Sequence, residues 1–231
     1  MIRILFEDLL NFFFPNLCAA CEDHLVRGEK GICMACLLSM PVTGFEHHPD
    51  NPVMKQFWGK VPVHAAMAYC HFNKGGRMQK LIHQLKYDGR PDIGVKLGQL
   101  CASRLIRAPL FSGASLIVPV PLHPGKERLR GYNQAASFGE GLAEVMRIPQ
   151  WTGALQRKRN TATQTRKHRF DRASNVLNVF EAVEEQSLAG KHILLVDDVI
   201  TTGSTLVSAA EALLKIQGVQ VSIVTIAFAR G

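Results

Sequence analysis

Residues 193–205 read ILLVDDVITTGST and run straight into an amphipathic stretch, and no other feature narrows the possible folds of the chain as far. The apolar run Ile193-Leu194-Leu195-Val196 is strand-sized, and the periodic apolar positions after the polar turn predict a helix over Thr205–Gln217. A strand that hands its C-terminal end to a helix start is the repeating unit of a parallel sheet, whose ligands gather at the strands' carboxyl ends. Thr201, Thr202, Gly203, Ser204 and Thr205 offer four hydroxyls, backbone N–H groups at a helix N-terminus and a glycine that admits close main-chain approach. Together these cradle a phosphate. The loop has no lysine, so it is not a P-loop of the G-x-x-x-x-G-K-[ST] type. Asp197 and Asp198 would repel a phosphate unless they face something else, and sugar hydroxyls, which are donors, are their natural partners. A ribose 5-phosphate fits. A strand ending in an Asp-capped polar turn accounts for any one of these features, but not for all thirteen residues at once.

The same alternation recurs along the chain. Strands are expected at Val61–Phe72, Leu116–Val120, around Trp151–Leu155, at Val176–Val183 and at Val219–Ala229. Helices are expected through Met78–Leu85, Ile93–Leu105 and Ala135–Met146. The expected fold is α/β, a mainly parallel twisted sheet with helices on both faces, and 231 residues are enough for one such core with a small appendage. The pattern divides the chain into an N-terminal helix and cysteine module over 1–40, a connector rich in Pro, Gly, His and Asn over 41–60, and the sheet domain over 61–231. The N-terminal segment has apolar residues at Ile2, Leu5, Phe6, Leu9, Leu10 and Phe13. It reads as a docking helix, without the cleavage site of a secretory signal or the basic face of a membrane-surface helix. No apolar run reaches the roughly 18 residues of a membrane span, so a soluble chain is expected.

Four of the six cysteines form two pairs, Cys18-x-x-Cys21 and Cys33-x-x-Cys36. Two thiolates three residues apart grip one side of a Zn²⁺ ion and a second pair closes the tetrahedron, so the spacing predicts a structural zinc with no open coordination position. A segment this short has almost no core of its own, and the metal would fold it. Disulfides are the alternative, disfavoured by the regular spacing and the missing signal peptide. Cys70 and Cys101 fall at apolar periodic positions and read as buried small hydrophobes.

Lys and Arg exceed Asp and Glu by 27 to 19, a net charge of +8 that favours anionic partners. The excess is concentrated in two places. Lys126, Arg128 and Arg130 lie between an expected strand and a helix start, where guanidinium forks can hold the oxygens of a pyrophosphate. Arg157-Lys158-Arg159, Arg166, Lys167, Arg169 and Arg172 lie between two expected strands, as a lid over a phosphorylated substrate or a track for a nucleic-acid backbone. A solvated basic surface is the plainer reading of either.

The segment from Ile193 to Thr205 resembles the phosphoribosyl-pyrophosphate (PRPP) signature of type I phosphoribosyltransferases. The resemblance implies that Asp197 and Asp198 bind the ribose hydroxyls and that Thr201–Thr205 bind the 5′-phosphate. Thr201 stands where purine-salvage members carry an acidic residue, which is closer to the orotate-type pattern. Over nearly the whole chain, the order of both cysteine pairs, Leu85-Lys86-Tyr87, the Val118–Gln134 segment, Gln164, Arg169, Asn175, Phe180 and the Asp197–Thr205 loop resembles the ComF family, its GntX-type members in particular. That likeness implies a bacterial cytoplasmic protein linked to competence, DNA uptake or the use of imported DNA.

Two functions are then open. As an enzyme, the chain would bind PRPP with Mg²⁺ and transfer the phosphoribosyl group to an acceptor. Asp197, Asp198, Arg128 and Arg130 would be its catalytic residues, with the Arg157–Arg172 stretch over the pyrophosphate. As an accessory module, it would bind single-stranded DNA or a DNA-processing protein and leave the nucleotide pocket as a sensor or relic.

Overall fold

The computed structural model describes residues 16–157 and 179–229. Along the chain these form helix α1 (Met34–Leu38), strand β1 (Ala65–Phe72), helices α2 (Arg77–Tyr87) and α3 (Pro91–Leu105), and strand β2 (Leu116–Pro119). Helices α4 (Pro124–Arg130) and α5 (Gln134–Met146) and strands β3 (Leu155–Arg157) and β4 (Phe180–Ala182) follow. The chain then continues through helix α6 (Glu185–Leu188), strand β5 (His192–Ile200), helix α7 (Ser204–Leu214) and strand β6 (Gln220–Ala229).

Strands β1, β6, β5 and β2 pair in that order, each pairing parallel, so the expected parallel α/β sheet is the framework of the molecule. Its central strands are apolar along most of their length because both faces are covered. Leu194 and Val196 of β5 pack with Leu81 and Leu85 of α2, Leu97 of α3 and Phe138 of α5. Ile193 and Leu195 enter the opposite layer with Leu206, Ala209 and Leu213 of α7. Helix starts follow local chemistry: Pro91 opens α3 where its missing N–H is no loss, and the Asn133 carboxamide oxygen accepts from Ala135 N at 2.9 Å to cap α5. Helices α3 and α5 lie backbone to backbone. A Cβ on Gly98 would stand 2.2 Å from the Phe138 carbonyl oxygen, and one on Gly141 2.0 Å from that of Val95.

Two appendages complete the core. The cysteine segment buries Cys18, Ala19, Ala20, Ile32 and Cys36 in the same cluster as Met78, Leu81 and Leu85 of α2, and the Gln84 carboxamide donates to Ala19 O at 3.1 Å. Residues 41–60, which composition marks as a connector, also enter the core. Val53 and Phe57 are fully buried against the α7 layer, and Asn51 donates to the carbonyl of Ala66 in β1 at 2.8 Å. Glu46, buried, is held by the Arg104 guanidinium at 2.5 Å. Composition misses this because polar side chains of the segment turn inward and bond to protein groups rather than to water.

The expected strand near Trp151 falls at β3, which pairs antiparallel with β4 outside the main sheet. The expected docking helix at the N-terminus lies outside the described residues. No helix among the described residues is long and apolar enough to cross a membrane.

Candidate phosphosugar site and cysteine centre

Because the four strands are parallel, the C-terminal ends of β2 and β5 lie side by side, with Pro119 opposite Val196 and Val120 N donating to Val196 O at 2.9 Å. That register makes the Pro121–Gln134 segment leave the sheet at the same end as Asp197 and the turn that follows it. The turn has the shape its sequence demands. Gly203 takes φ 74° at the N-cap of α7, while Thr201, Thr202, Ser204 and Thr205 are exposed around it. Thr202 and Ser204 hydroxyls meet at 3.3 Å. The first-turn amides of α7 have no acceptor inside the helix, so the turn presents donors and hydroxyls to one cleft, which Asp197 also lines. Behind the turn, a Cβ on Gly203 would come within 3.1 Å of Gln56 Oε1 and 3.6 Å of Phe57. Gln56 Oε1 is itself buried without a hydrogen-bond partner. The packing of Gln56 and Phe57 behind Gly203 had no signal in a segment that reads as linker.

The two adjacent carboxylates do not share surroundings. Successive strand residues point to opposite faces of a sheet. Asp197 lines the cleft with the turn, whereas Asp198 Oδ2 lies 3.0 Å from Lys86 Nζ at the end of α2. Both carboxylates are clamped to backbone: Asp197 Oδ1 accepts from Asp198 N at 2.8 Å, and Asp198 Oδ1 from Val199 N at 2.6 Å. Burial pushes the Asp197 carboxyl up to about 7, and the charge of Asp198 adds to the rise, against the Asp198 amide and Lys86, which work the other way. Lys86 belongs to the Leu85-Lys86-Tyr87 motif, yet nothing in that triplet by itself points at a carboxylate so distant in the chain.

The basic segment after β2 folds as α4, with Gly131 at its C-cap, where a loop was expected. Lys126 and Arg128 are exposed. Arg130 donates to Gln134 Oε1 at 2.9 Å and lies 5.3 Å over the exposed ring of Tyr87. The Tyr132 hydroxyl donates to Leu85 O, so the junction between α4 and α5 grips the same end of α2 that carries Lys86. Arg157 ends β3, its guanidinium 5.5 Å over the Phe180 ring. Its neighbours in the basic stretch, Lys158, Arg159, Arg166 and Arg169, lie outside the described residues.

The Sγ atoms of Cys18, Cys21, Cys33 and Cys36 lie within 4.8 Å of one another, and those of Cys21 and Cys33 are 3.7 Å apart. A tetrahedron of sulfurs about 2.3 Å from a central zinc has edges of about 3.8 Å, so the four thiols fit that ion. All four are free of disulfides. Amide N–H groups of Cys33 and Ala20 point at Cys18 Sγ, at 3.3 and 3.4 Å. Although burial opposes ionisation, such donors, with that of Cys21, bring Cys18 down to about 6.

Residues 133–231 match the phosphoribosyl transferase domain. Over 212 residues, 87% of this chain and 92% of the relative, the sequence is 30% identical to the DNA utilization protein YhgH of Salmonella typhimurium. It is 29% identical over 220 residues to competence protein F of Haemophilus influenzae, covering 88% of this chain and 93% of that one. Among solved structures, glutamine phosphoribosylpyrophosphate amidotransferase from B. subtilis aligns with a TM-score of 0.42 and 23% identity, over 61% of this chain and 30% of its own.

Proposed function

The chain belongs to the ComF family of phosphoribosyltransferase-like proteins, and from that premise we propose that it binds PRPP at the C-terminal ends of β2 and β5. The observation that supports this reading is the shared cleft of Asp197 and the 201–205 turn. Thr201, Thr202, Gly203, Ser204 and Thr205 would take the 5′-phosphate through amides, hydroxyls and the N-terminal end of α7, and the acidic pair would accept the ribose hydroxyls. Lys126, Arg128 and Arg130, one strand over, would hold the pyrophosphate, with Arg157, Lys158, Arg159, Arg166 and Arg169 as a second source of charge. Mg²⁺ would arrive with PRPP, chelated by its pyrophosphate and sugar oxygens. Positive charge fixed beside the leaving group lowers the cost of breaking the C1′–O bond, because it acts where negative charge develops. The cysteine centre would hold a structural Zn²⁺ and supply folding energy rather than chemistry.

Calorimetry with PRPP and Mg²⁺ tests this directly. The wild-type chain is expected to bind, and the Asp197→Ala/Asp198→Ala double variant to lose binding by about a hundredfold or more, the worth of the charge-assisted hydrogen bonds to the ribose hydroxyls, while keeping its four-cysteine metal. Equal affinity in the two proteins refutes the assignment. Gly203→Ala is a milder probe. Its new methyl must displace Gln56 and hold a left-handed backbone, at roughly 1–3 kcal/mol. The variant is expected to fold yet lose most of its affinity for PRPP, and undiminished binding would show that the turn does not hold the phosphate. Pyrophosphate release in the presence of candidate acceptor bases distinguishes a transferase from a PRPP-binding protein.

The net charge of +8 and the relatives named for DNA utilization and competence support a second reading, an accessory module that binds single-stranded DNA or a DNA-processing protein. Single-strand affinity that falls steeply with salt, together with silence toward PRPP, would favour it over the first.

A further inference from the structure

We propose that Lys86 is a positioning residue of the phosphosugar site: by pairing with Asp198 it engages that carboxylate and leaves Asp197 as the one that meets the sugar. The inference rests on the phosphosugar reading and refines it, since the paired aspartates would otherwise be treated as equivalent.

The problem that Lys86 solves is electrostatic. Two carboxylates at consecutive positions stand next to a turn built to take a dianionic phosphate, so without a counter-charge each would raise the cost of ionising the other and of binding the ligand. Lys86 brings one positive charge to within 3.0 Å of Asp198, and both side chains are well screened from water, at 23% and 15% exposure. A pair this sheltered is not an ordinary surface contact, whose worth solvent and salt would erase.

The ammonium is also delivered from a fixed base. Leu85 is fully buried, its carbonyl accepts the Tyr132 hydroxyl, and Tyr87, two positions on, lies under Arg130. The last turn of α2 is therefore held by the core on one side and by the basic segment on the other, and Lys86 projects from it to the tip of β5. Asp197 is left lining the cleft, where burial and the charge of Asp198 push its carboxyl up and Lys86 from α2 works against them.

The test compares Lys86→Met with Lys86→Arg, with Lys86→Gln as a second neutral variant should the methionine protein fail to fold. Two readouts are needed. Carbon NMR of the aspartate carboxyls follows the titration of Asp197 without any ligand, and calorimetry with ribose 5-phosphate in the presence of EDTA follows affinity from about pH 5.5 to 8.5, a range that brackets the shifted carboxyl. Removing Lys86 should raise the Asp197 midpoint, because its charge is one of the groups that hold that carboxyl down. A rise of about one pH unit from a starting value of about 7 would take the ionised fraction at pH 7 from about half to about one in eleven, a loss of affinity of roughly fivefold. Raising the pH to about 8.5 should restore most of that loss, and Lys86→Arg should keep both midpoints near those of the wild type. A neutral variant whose Asp197 midpoint is unmoved, or whose affinity loss is equal at every pH, overturns the proposal, because either result reduces Lys86 to a packing role. If wild-type protein binds no sugar phosphate at all, the phosphosugar reading fails, and the ligand-free titration still decides whether Lys86 governs Asp197.

Discussion

Replacing Gly141 with alanine is expected to destabilise the protein by about 3 kcal/mol, although alanine is the better helix former by about 1 kcal/mol. The sign is decided by contact. In an open helix the added methyl would be a gain. Here it would lie 2.0 Å from the Val95 carbonyl oxygen and 2.8 Å from Gln99 N, atoms of helix α3 that cannot rotate away. Gly98 meets α5 in the same manner from the other side, 2.2 Å from the Phe138 carbonyl oxygen, so a single added carbon must push apart a pair of helices whose side chains fill one face of the sheet. For a chain of this size about 3 kcal/mol lowers the melting temperature by roughly 6–12 °C. A thermal melt of Gly141→Ala that matches or exceeds the wild type would mean that α3 and α5 do not approach so closely.

Loss of the zinc proposed for the cysteine centre is expected to have the larger effect. Structural four-ligand zinc contributes on the order of 10–16 kcal/mol of apparent binding energy to peptides that are unfolded without it. Here the residues between the ligands add only a few buried apolar groups. Cys18→Ser with Cys21→Ser should abolish stoichiometric zinc, measurable by atomic emission, and expose the segment around Asn16–Met40 to proteolysis. The damage should travel. Ala19 O is held by Gln84, and Glu22 meets Lys80 at 2.9 Å, so the cysteine segment braces the same helix that carries Lys86. Faster amide exchange along Arg77–Tyr87 is the expected second sign. Zinc retained at full stoichiometry by the double variant would show that other ligands hold it.

How much of this was legible beforehand depends on the range of the interaction. The apolar run ending in Asp197-Asp198, the hydroxyl-rich turn with Gly203 and the helix after it are all local, and the structure has them as strand β5, a left-handed glycine and helix α7. The cysteine pairs are legible for the same reason, since a three-residue spacing dictates a shared ligand geometry, and the four sulfurs do converge. Residues 41–60 were not. Their few apolar positions show no period, yet Val53 and Phe57 are fully buried because the face of the sheet left open beside α7 requires a cover.

The sequence by itself determined most of the element types, the parallel main sheet, the hydroxyl-rich turn and the four-thiol centre, because backbone preference, apolar period and ligand spacing act over short stretches of chain. Only the tertiary structure decided which neighbours those elements meet: Gly98 and Gly141 at a helix crossing, Gln56 behind Gly203, and Lys86 beside Asp198. Each of these joins residues far apart in the sequence. Such contacts are chosen by the shape and charge left over once the sheet is covered, and no local pattern encodes that remainder.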